Sequence, residues 1–460
     1  MFQLQQANRG KVGQSGAGER IAKLKRIRDA INDRREELQQ AVYADLRKPA
    51  AEAMISEVYP VTTEIKHLVR HLRGWMRPKP ARTPIVFIGA RSEIRLEPKG
   101  VVLIISPWNF PFQLAVGPLI SAIAAGNCVV LKPSEFSPNT ARFLKSLLAG
   151  LFDEKEVAVF EGDHEVGKAL LEQPFNHVFF TGSTRVGRSV MAAAAEHLSS
   201  VTLELGGKSP AIIDRSANVA EAAKKITWGK FINAGQTCIA PDYVLISDDQ
   251  LEDYVSAAKA QIQNFFGDAA KISQCPDYCR IINEKMFARL KNLTEEAVAQ
   301  GAVIETGGEF AENDKYISPT LLTGVPQNAA IMQEEIFGPV LPILTYKSLD
   351  DVFGVVNSMP NPLVLYIFAR HRRVVSKILA NTSAGDTVIN DVVVHFANPN
   401  LPFGGFNQSG IGKSHGYAGF KALSHERAVM RQPRHTMLQL LYPPYTKFTK
   451  KLIDLTVKYF

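Results

Sequence analysis

The sequence predicts an α/β protein built on a doubly wound parallel sheet, and three observations carry that reading. Short apolar, β-rich runs recur through the first half: "VVLIIS" from 101, "CVVLK" from 128, "VAVFEG" from 157, "HVFFTG" from 177 and "VTLELGG" from 201. Stretches of roughly 20 to 30 residues separate them, each with room for one helix such as "TARFLKSLLAGLF". The second half repeats the alternation with its own punctuation, "TGGEF", "IFGPV" and "LPFGG".

The chain opens on "MFQLQQANRGKVGQSG", which lacks the apolar segment of a secretory leader, so a reducing cytoplasm is expected. In "ERIAKLKRIRDAINDRREELQQAV", Ile21, Leu24, Ile27, Ile31 and Leu38 recur at intervals of three, four and seven. That pattern predicts one amphipathic helix with a solvated basic face. "ARTPIVFIGARSEIRLEPKG" reads as a β-arm able to pair with "LSHERAVMRQ" into a small separate sheet. "AVGPLISAIAAGNCVVL" falls short of the ~18 residues that span a bilayer and is broken by Pro118, Gly126 and Asn127. It predicts a buried helix running into a strand. Gly206 and Gly207 permit a sharp turn, and a domain boundary is placed there.

The expected units are 1–79 with 100–205, then 206–422, an arm of 80–99 with 423–435, and a tail of 436–460. In that tail, "KFTKKLIDLTVKYF" alternates four lysines with Leu452, Ile453, Leu455, Val457 and Phe460. It suits an interfacial membrane helix or a segment docked on a partner subunit.

Composition narrows the function. An apolar share of 46% and a charged share of 21% are those of a soluble globular protein, and 460 residues exceed one ordinary core. The formal charge of +8 comes from 53 basic against 45 acidic residues. The bases are dispersed, without zinc-finger spacing or an RNP-like aromatic pattern, so nucleic acid is not an expected partner. Four cysteines make no disulfide framework.

Ligands of such sheets bind at the carboxyl ends of the strands. There "FFTGSTRVG" places Gly182 and Gly187 after a strand. It lacks the GxGxxG spacing of the ordinary dinucleotide turn, yet Ser183 and the N–H groups of a helix starting at Thr184 can hold a pyrophosphate. In "LKPSE", Lys132 and Glu135 lie one helical turn apart and suit ribose hydroxyls, or form a surface ion pair. Asn109 in "ISPWNFP" can donate to a developing oxyanion, or cap a turn. Glu204 in "LELGGK" sits between leucines, where burial raises a carboxyl toward the range of a general base; an ordinary salt bridge is the plain alternative. "QEEIFGPV" supplies Glu335 and Phe337. Cys238 in "FINAGQTCIAPDYVL" is a space-filler, a metal ligand or a nucleophile, and its neighbours alone leave the three open.

In their order and wording, "PWNFP", "KPSE", "TGSTRVG", "ELGGKSP", "GQTCIAPDYV", "QEEIFGPV" and "LPFGG" resemble the motifs of the aldehyde dehydrogenases, from about residue 15 to 445. "WGKFINAGQTCIAPDY", "PLVLYIFA", "NDVVVH", "SHGYAGFKALSHERAV" and the late "YPP" resemble the class 3 branch, which includes fatty, aromatic and coniferyl-type enzymes. The resemblance implies a Rossmann-type parallel-sheet cofactor domain, an α/β catalytic domain and a small β oligomerisation arm in a homodimer. It implies that Cys238 is the nucleophile, attacking the soft aldehyde carbon as a thiolate without a strong base. Asn109 and the N–H of Cys238 would hold the oxyanion, and Glu204 would activate the water that releases the acid. Lys132 and Glu135 would bind the adenosine ribose; Gly182, Ser183 and Gly187 form the phosphate turn; Glu335 and Phe337 position the nicotinamide riboside. Glu135 repels a 2′-phosphate, which favours NAD, while class 3 leaves NADP open. Tyr59, Phe110, His395 and Phe396 are expected to shape the substrate tunnel.

Three features depart from the class 3 pattern. Gly10 stands where a large aromatic is expected, and Asp386 where a small residue is usual. Cys275 and Cys279 in "CPDYC" have no counterpart; without companion ligands they make a poor zinc site, and no metal is expected. Two other readings stand beside oxidation of medium- or long-chain aliphatic or aromatic aldehydes. A non-catalytic membrane-surface or structural protein would be expected to have lost Cys238, Asn109 or Glu204. A thioester-forming acyl-transfer dehydrogenase commonly lacks the glutamate.

Overall fold

Two largely parallel sheets, one from each half of the chain, organise the computed structural model, which describes residues 1–434 and 436–459. N-terminal helices lead into two short strands, β1 (Lys79–Ala81) and β2 (Arg91–Pro98). The first sheet follows: β3 (Val101–Ile105), β4 (Cys128–Lys132), β5 (Val157–Val159), β6 (His177–Thr181) and β7 (Ser200–Glu204). All five predicted runs are strands, mutually parallel and ordered β7-β6-β3-β4-β5. Every residue of β4 and β6 is buried, because helices cover both faces. Val102, Ile104, Val129 and Leu131 pack under the helix Gln113–Ala125, while Val101, Leu103 and Val130 pack on the opposite side with Val12 and Val190.

The second sheet takes β8 (Pro210–Ile213), β9 (Tyr243–Ser247), β10 (Val303–Thr306), β13 (Thr320–Thr323), β14 (Val340–Tyr346), β15 (Val364–Phe368) and β16 (Asp386–Ile389) in the order β10-β13-β14-β9-β8-β15-β16. Two small strands, β11 (Phe310–Ala311) and β12 (Tyr316–Ile317), pair separately. The chain then returns to the first sheet, where β17 (Gly410–Ile411) lies antiparallel to β7 with Gly410 opposite Glu204. Finally β18 (Ser424–Arg431) pairs antiparallel with β2 along its whole length, forming a three-stranded sheet with β1.

Three sequence expectations need correction or sharpening. The single helix expected after residue 18 is two, Ala17–Asp33 and Arg35–Leu46, broken at Arg34 (φ −111°). The seven-residue step from Ile31 to Leu38 spans the break and hides it. The basic face is not wholly solvated either. Arg20 is buried, donating to the carbonyls of Gly13 (2.9 Å), Ser15 (3.1 Å) and Ala124 (3.0 Å), where it answers two helix C-termini. The tail forms the helix Lys447–Tyr459, whose Phe448, Leu455 and Val457 are exposed; Phe460 lies outside the described residues. No described helix is long and apolar enough to cross a membrane.

Candidate active site

Cys238 is placed by a loop with an unusual backbone. The helix Val219–Phe231, capped by Asn218 accepting from the Glu221 N–H (3.1 Å), stops at Phe231. Asn233, Ala234 and Gly235 then take φ of 51°, 50° and 73°. Successive left-handed residues cost backbone energy, which hydrogen bonds here offset. The Asn233 carboxamide donates to the carbonyls of Asn109 (2.9 Å) and Gln236 (3.0 Å). The Gln236 carboxamide donates to Asn233 (2.9 Å) and Arg280 (3.0 Å) and accepts from the Ile282 N–H (3.0 Å). A β-carbon at 235 would lie 2.2 Å from the Gly338 oxygen, so only glycine fits. Asp242 ties this loop to "QEEIFGPV": it accepts from the Ile336 N–H (3.0 Å) and pairs with Lys208 (2.5 Å).

Two buried carboxyls face this loop. Glu204, at the carboxyl end of β7, has neither oxygen hydrogen-bonded among the described residues. Burial lifts its carboxyl to about 8 against the opposing pull of the Ser414 hydroxyl and the Lys413 ammonium. Glu335 packs on Gly206, where a β-carbon would sit 2.1 Å from its Oε2. Burial, reinforced by Asp242, lifts it to about 8 as well. The Cys238 thiol is pushed up to about 12, first by burial and then by Glu335 and Glu204, although the N–H groups of Cys238 and Ile239 point at the sulfur. The resemblance implied a thiolate, and the surroundings of the sulfur favour the neutral thiol. The pocket is apolar and its titratable neighbours are carboxyls, an environment that disfavours a negative sulfur. Asn109 is buried, and its carboxamide donates to the Gln236 carbonyl (3.0 Å), two residues from Cys238. A carboxamide carries two donor hydrogens, so one remains for a ligand.

The sequence reading missed Lys230. It is fully buried, its Nζ has no hydrogen-bond partner among the described residues, and burial lowers its ammonium to about 8 beside Asp242 and Glu335. The available signal was a lysine within the apolar "WGKF" turn.

Cys238, Glu204 and Thr181 open on one cavity with mostly apolar walls, among them Val61, Phe110, Leu114, Phe396 and Phe403. Phe110 and Phe396 line it as expected. Tyr59 does not: it is 57% exposed, while the next two residues, Pro60 and Val61, face inward. His395 does not either; it stacks on Phe403 with ring centroids 5.6 Å apart. Sequence fixes neither the side of a helix turn nor the side of a ring stack. Asp386 sits beyond that stack, 3.7 Å from His395 and 3.9 Å from Lys413, accepting from the Gly404 N–H (3.3 Å).

A family model described as the aldehyde dehydrogenase family matches residues 4–429. The chain belongs to the aldehyde dehydrogenase family. It oxidises aldehydes to carboxylic acids with a nicotinamide dinucleotide. Over 439 residues it is 42% identical to a Pseudomonas aeruginosa protein named probable coniferyl aldehyde dehydrogenase, covering 95% of this chain and 91% of that one. Over 427 residues it is 41% identical to aldehyde dehydrogenase family 3 member A2 of Rattus norvegicus, covering 92% and 87%. A solved structure of Staphylococcus aureus AldH in its substrate-bound state matches with a TM-score of 0.95 at 41% identity, over 99% of this chain and 98% of that one.

The residues expected to hold a dinucleotide have a chemistry that fits one. Lys132 ends β4, almost wholly buried, and its Nζ pairs with Glu135 (2.9 Å), setting a cation and a carboxylate where strand meets loop. Ser183 caps the helix Thr184–Glu196, accepting from the Val186 N–H (3.4 Å), so the helix start faces outward beside the side-chain-free Gly182. Gly187 lets that helix approach the sheet; a β-carbon there would lie 2.7 Å from Leu205. Glu335 keeps one buried oxygen without a partner, and the Phe337 ring meets Trp108 edge-on at 5.5 Å. Cys128, Cys238, Cys275 and Cys279 are free thiols, and no group of potential metal ligands gathers among the described residues.

Proposed function

We propose that Cys238 adds to the carbonyl carbon of the aldehyde and carries the acyl group as a thioester until water releases the acid. The observation that carries this is the shared cavity of Cys238 and Glu204, with the Asn109 carboxamide anchored two residues from the sulfur-bearing one. As the sulfur bonds to the carbonyl carbon, the S–H bond breaks and its proton passes to solvent water in the cavity, leaving the charge on the former carbonyl oxygen. The thiohemiacetal oxyanion then accepts from the Cys238 N–H and the second Asn109 N–H. When bound, the dinucleotide accepts the hydride that leaves this carbon. Glu204, as carboxylate, takes a proton from the water that attacks the thioester.

In the same reading, Lys132 and Glu135 hold the adenosine ribose, Gly182, Ser183 and the turn to Gly187 the pyrophosphate, and Glu335 and Phe337 the nicotinamide riboside. Glu135 disfavours a 2′-phosphate, so NAD is preferred to NADP. Segments 1–79 and 100–205 serve the cofactor, 206–422 the chemistry, and the β1-β2-β18 arm pairs two copies. The apolar walls suit medium- and long-chain aliphatic or aromatic aldehydes. The exposed apolar side of the helix Lys447–Tyr459 suits a second copy or a membrane surface in the cytoplasm.

A panel of aliphatic and aromatic aldehydes, read by cofactor reduction with NAD and NADP separately, tests the reading. Expected is a kcat/KM that rises with apolar length and is higher with NAD. A preference for two- or three-carbon aldehydes contradicts the substrate class. Deleting residues 447–460 is expected to leave turnover intact while lowering either dimer mass or liposome binding; unchanged values of both dismiss the helix as a docking element.

A further inference from the structure

We propose that the buried ion pair of Lys48 and Glu57 is a positioning device for the Asn109 carboxamide, gripping the 109–113 turn at both ends. The inference rests on the oxyanion role given to Asn109 above. Lys48 and Glu57 are 0% exposed and pair at 2.8 Å. From that pair, Lys48 Nζ also donates to the Asn109 carbonyl (3.1 Å), at the front of the turn. Glu57 Oε2 accepts from the N–H groups of Phe112 (3.2 Å) and Gln113 (2.8 Å), at its back. Those amides open the helix Gln113–Ala125, where a carboxylate is favoured. Between the two ends, the Lys48 ammonium stands 4.1 Å from the centre of the Phe110 ring.

The grip continues to the nucleophile. The Asn109 carbonyl accepts from Lys48 and from Asn233, and Asn233 belongs to the left-handed loop before Cys238. Asn109 therefore has its main-chain oxygen fixed from two sides while its carboxamide is fixed by Gln236. Glu57 itself lies on a single π-helical turn, Met54–Val58, inserted before the helix Tyr59–Trp75. Such turns shift side chains off the ordinary helical register and recur near functional sites.

Stability alone does not call for this arrangement. A buried pair loses its hydration, and apolar side chains of similar volume commonly fill such a space at no loss. What apolar side chains cannot supply is a donor for the 109 carbonyl and an acceptor for the 112 and 113 amides. Lys48 and Glu57 touch no reacting atom; they act through Asn109.

The test uses the full-length enzyme and the first-turnover burst of reduced cofactor. Lys48→Met is expected to slow the burst about tenfold to a hundredfold, as misplacement of a reacting group by about an ångström does. The affinity for NAD, measured by binding, should change less than twofold, because the cofactor groups lie elsewhere. Asn109→Ala is expected to slow the burst about 10²–10³-fold. The double variant Lys48→Met with Asn109→Ala should be no slower than Asn109→Ala alone, because one acts through the other. A wild-type burst in Lys48→Met, or a double variant slowed by the product of the two factors, overturns the proposal. Should Lys48→Met fail to fold, Glu57→Gln, which keeps the shape and weakens the grip, is judged by the same two criteria. A wild-type burst in Asn109→Ala removes the oxyanion role itself, whereas a slowed burst in Asn109→Ala with an unaffected Lys48→Met removes the positioning role alone.

Discussion

Replacing Cys238 with alanine is expected to abolish aldehyde oxidation, lowering kcat by about 10⁴-fold or more, the usual loss when a covalent nucleophile is deleted. Folding should be little affected, since one sulfur at a cavity wall is removed and the loop is held by Asn233, Gln236 and Asp242. Dinucleotide binding should persist, because the Lys132–Glu135 pair and the Ser183 cap do not depend on the thiol. Steady-state rates and a binding titration on the same preparation check both halves. Turnover near the parent rate removes Cys238 from the nucleophile role.

Glu204→Gln is expected to separate the two halves of the reaction. The burst of reduced cofactor should remain, while steady turnover falls by about 10²–10⁴-fold, the range for loss of a general base. An unchanged steady rate removes Glu204 from that role. The raised carboxyl adds a pH signature. At about 8, only about one-tenth of Glu204 is ionised at pH 7, so kcat of the parent should climb between pH 7 and 9 where thioester hydrolysis limits. The glutamine variant should lose that rise.

Stability should move the opposite way. In the folded protein this carboxyl titrates near 8, against an ordinary value of 4.5, so the folded state holds its proton more tightly than the unfolded one. Its stabilising contribution is full below about pH 4.5 and lost as pH rises to about 8. Relative to the parent, Glu204→Gln should therefore gain on the order of a few kcal/mol across that window, with a flat difference above it. Thermal melts at pH 5 and pH 8.5 read this directly.

The parallel sheet was legible because its strands are buried on both faces and so read as continuous apolar runs. β4 and β6 show this most plainly. The amphipathic stripe from Ile21 to Leu38 was legible too, whereas its break at Arg34 was not, because a seven-residue step keeps both sides of the break in phase. For the site, motif wording pointed to Cys238 and Glu204, which share one cavity, but not to their electrostatics. The Cys238 thiol is raised first by burial and then by Glu335 and Glu204, and both its burial and these distant carboxyls exist only in the folded chain. The same holds for Lys48 and Glu57: one lies 61 residues from Asn109 and the other 56 from Gln113, so their grip exists only in the folded chain. Tyr59 and His395 failed as tunnel residues for a related reason, since their neighbours in space decide which way each side chain points.

The central claim is that an acyl group travels on the sulfur of residue 238. Peptide mass spectrometry of Glu204→Gln, quenched in acid during turnover with NAD and a medium-chain aldehyde, tests it most directly. The expected result is the mass of the acyl group on the peptide that contains Cys238, formed only when both cofactor and aldehyde are present. Acid product accompanied by an unmodified Cys238 peptide, or an acyl group on another residue, would contradict it.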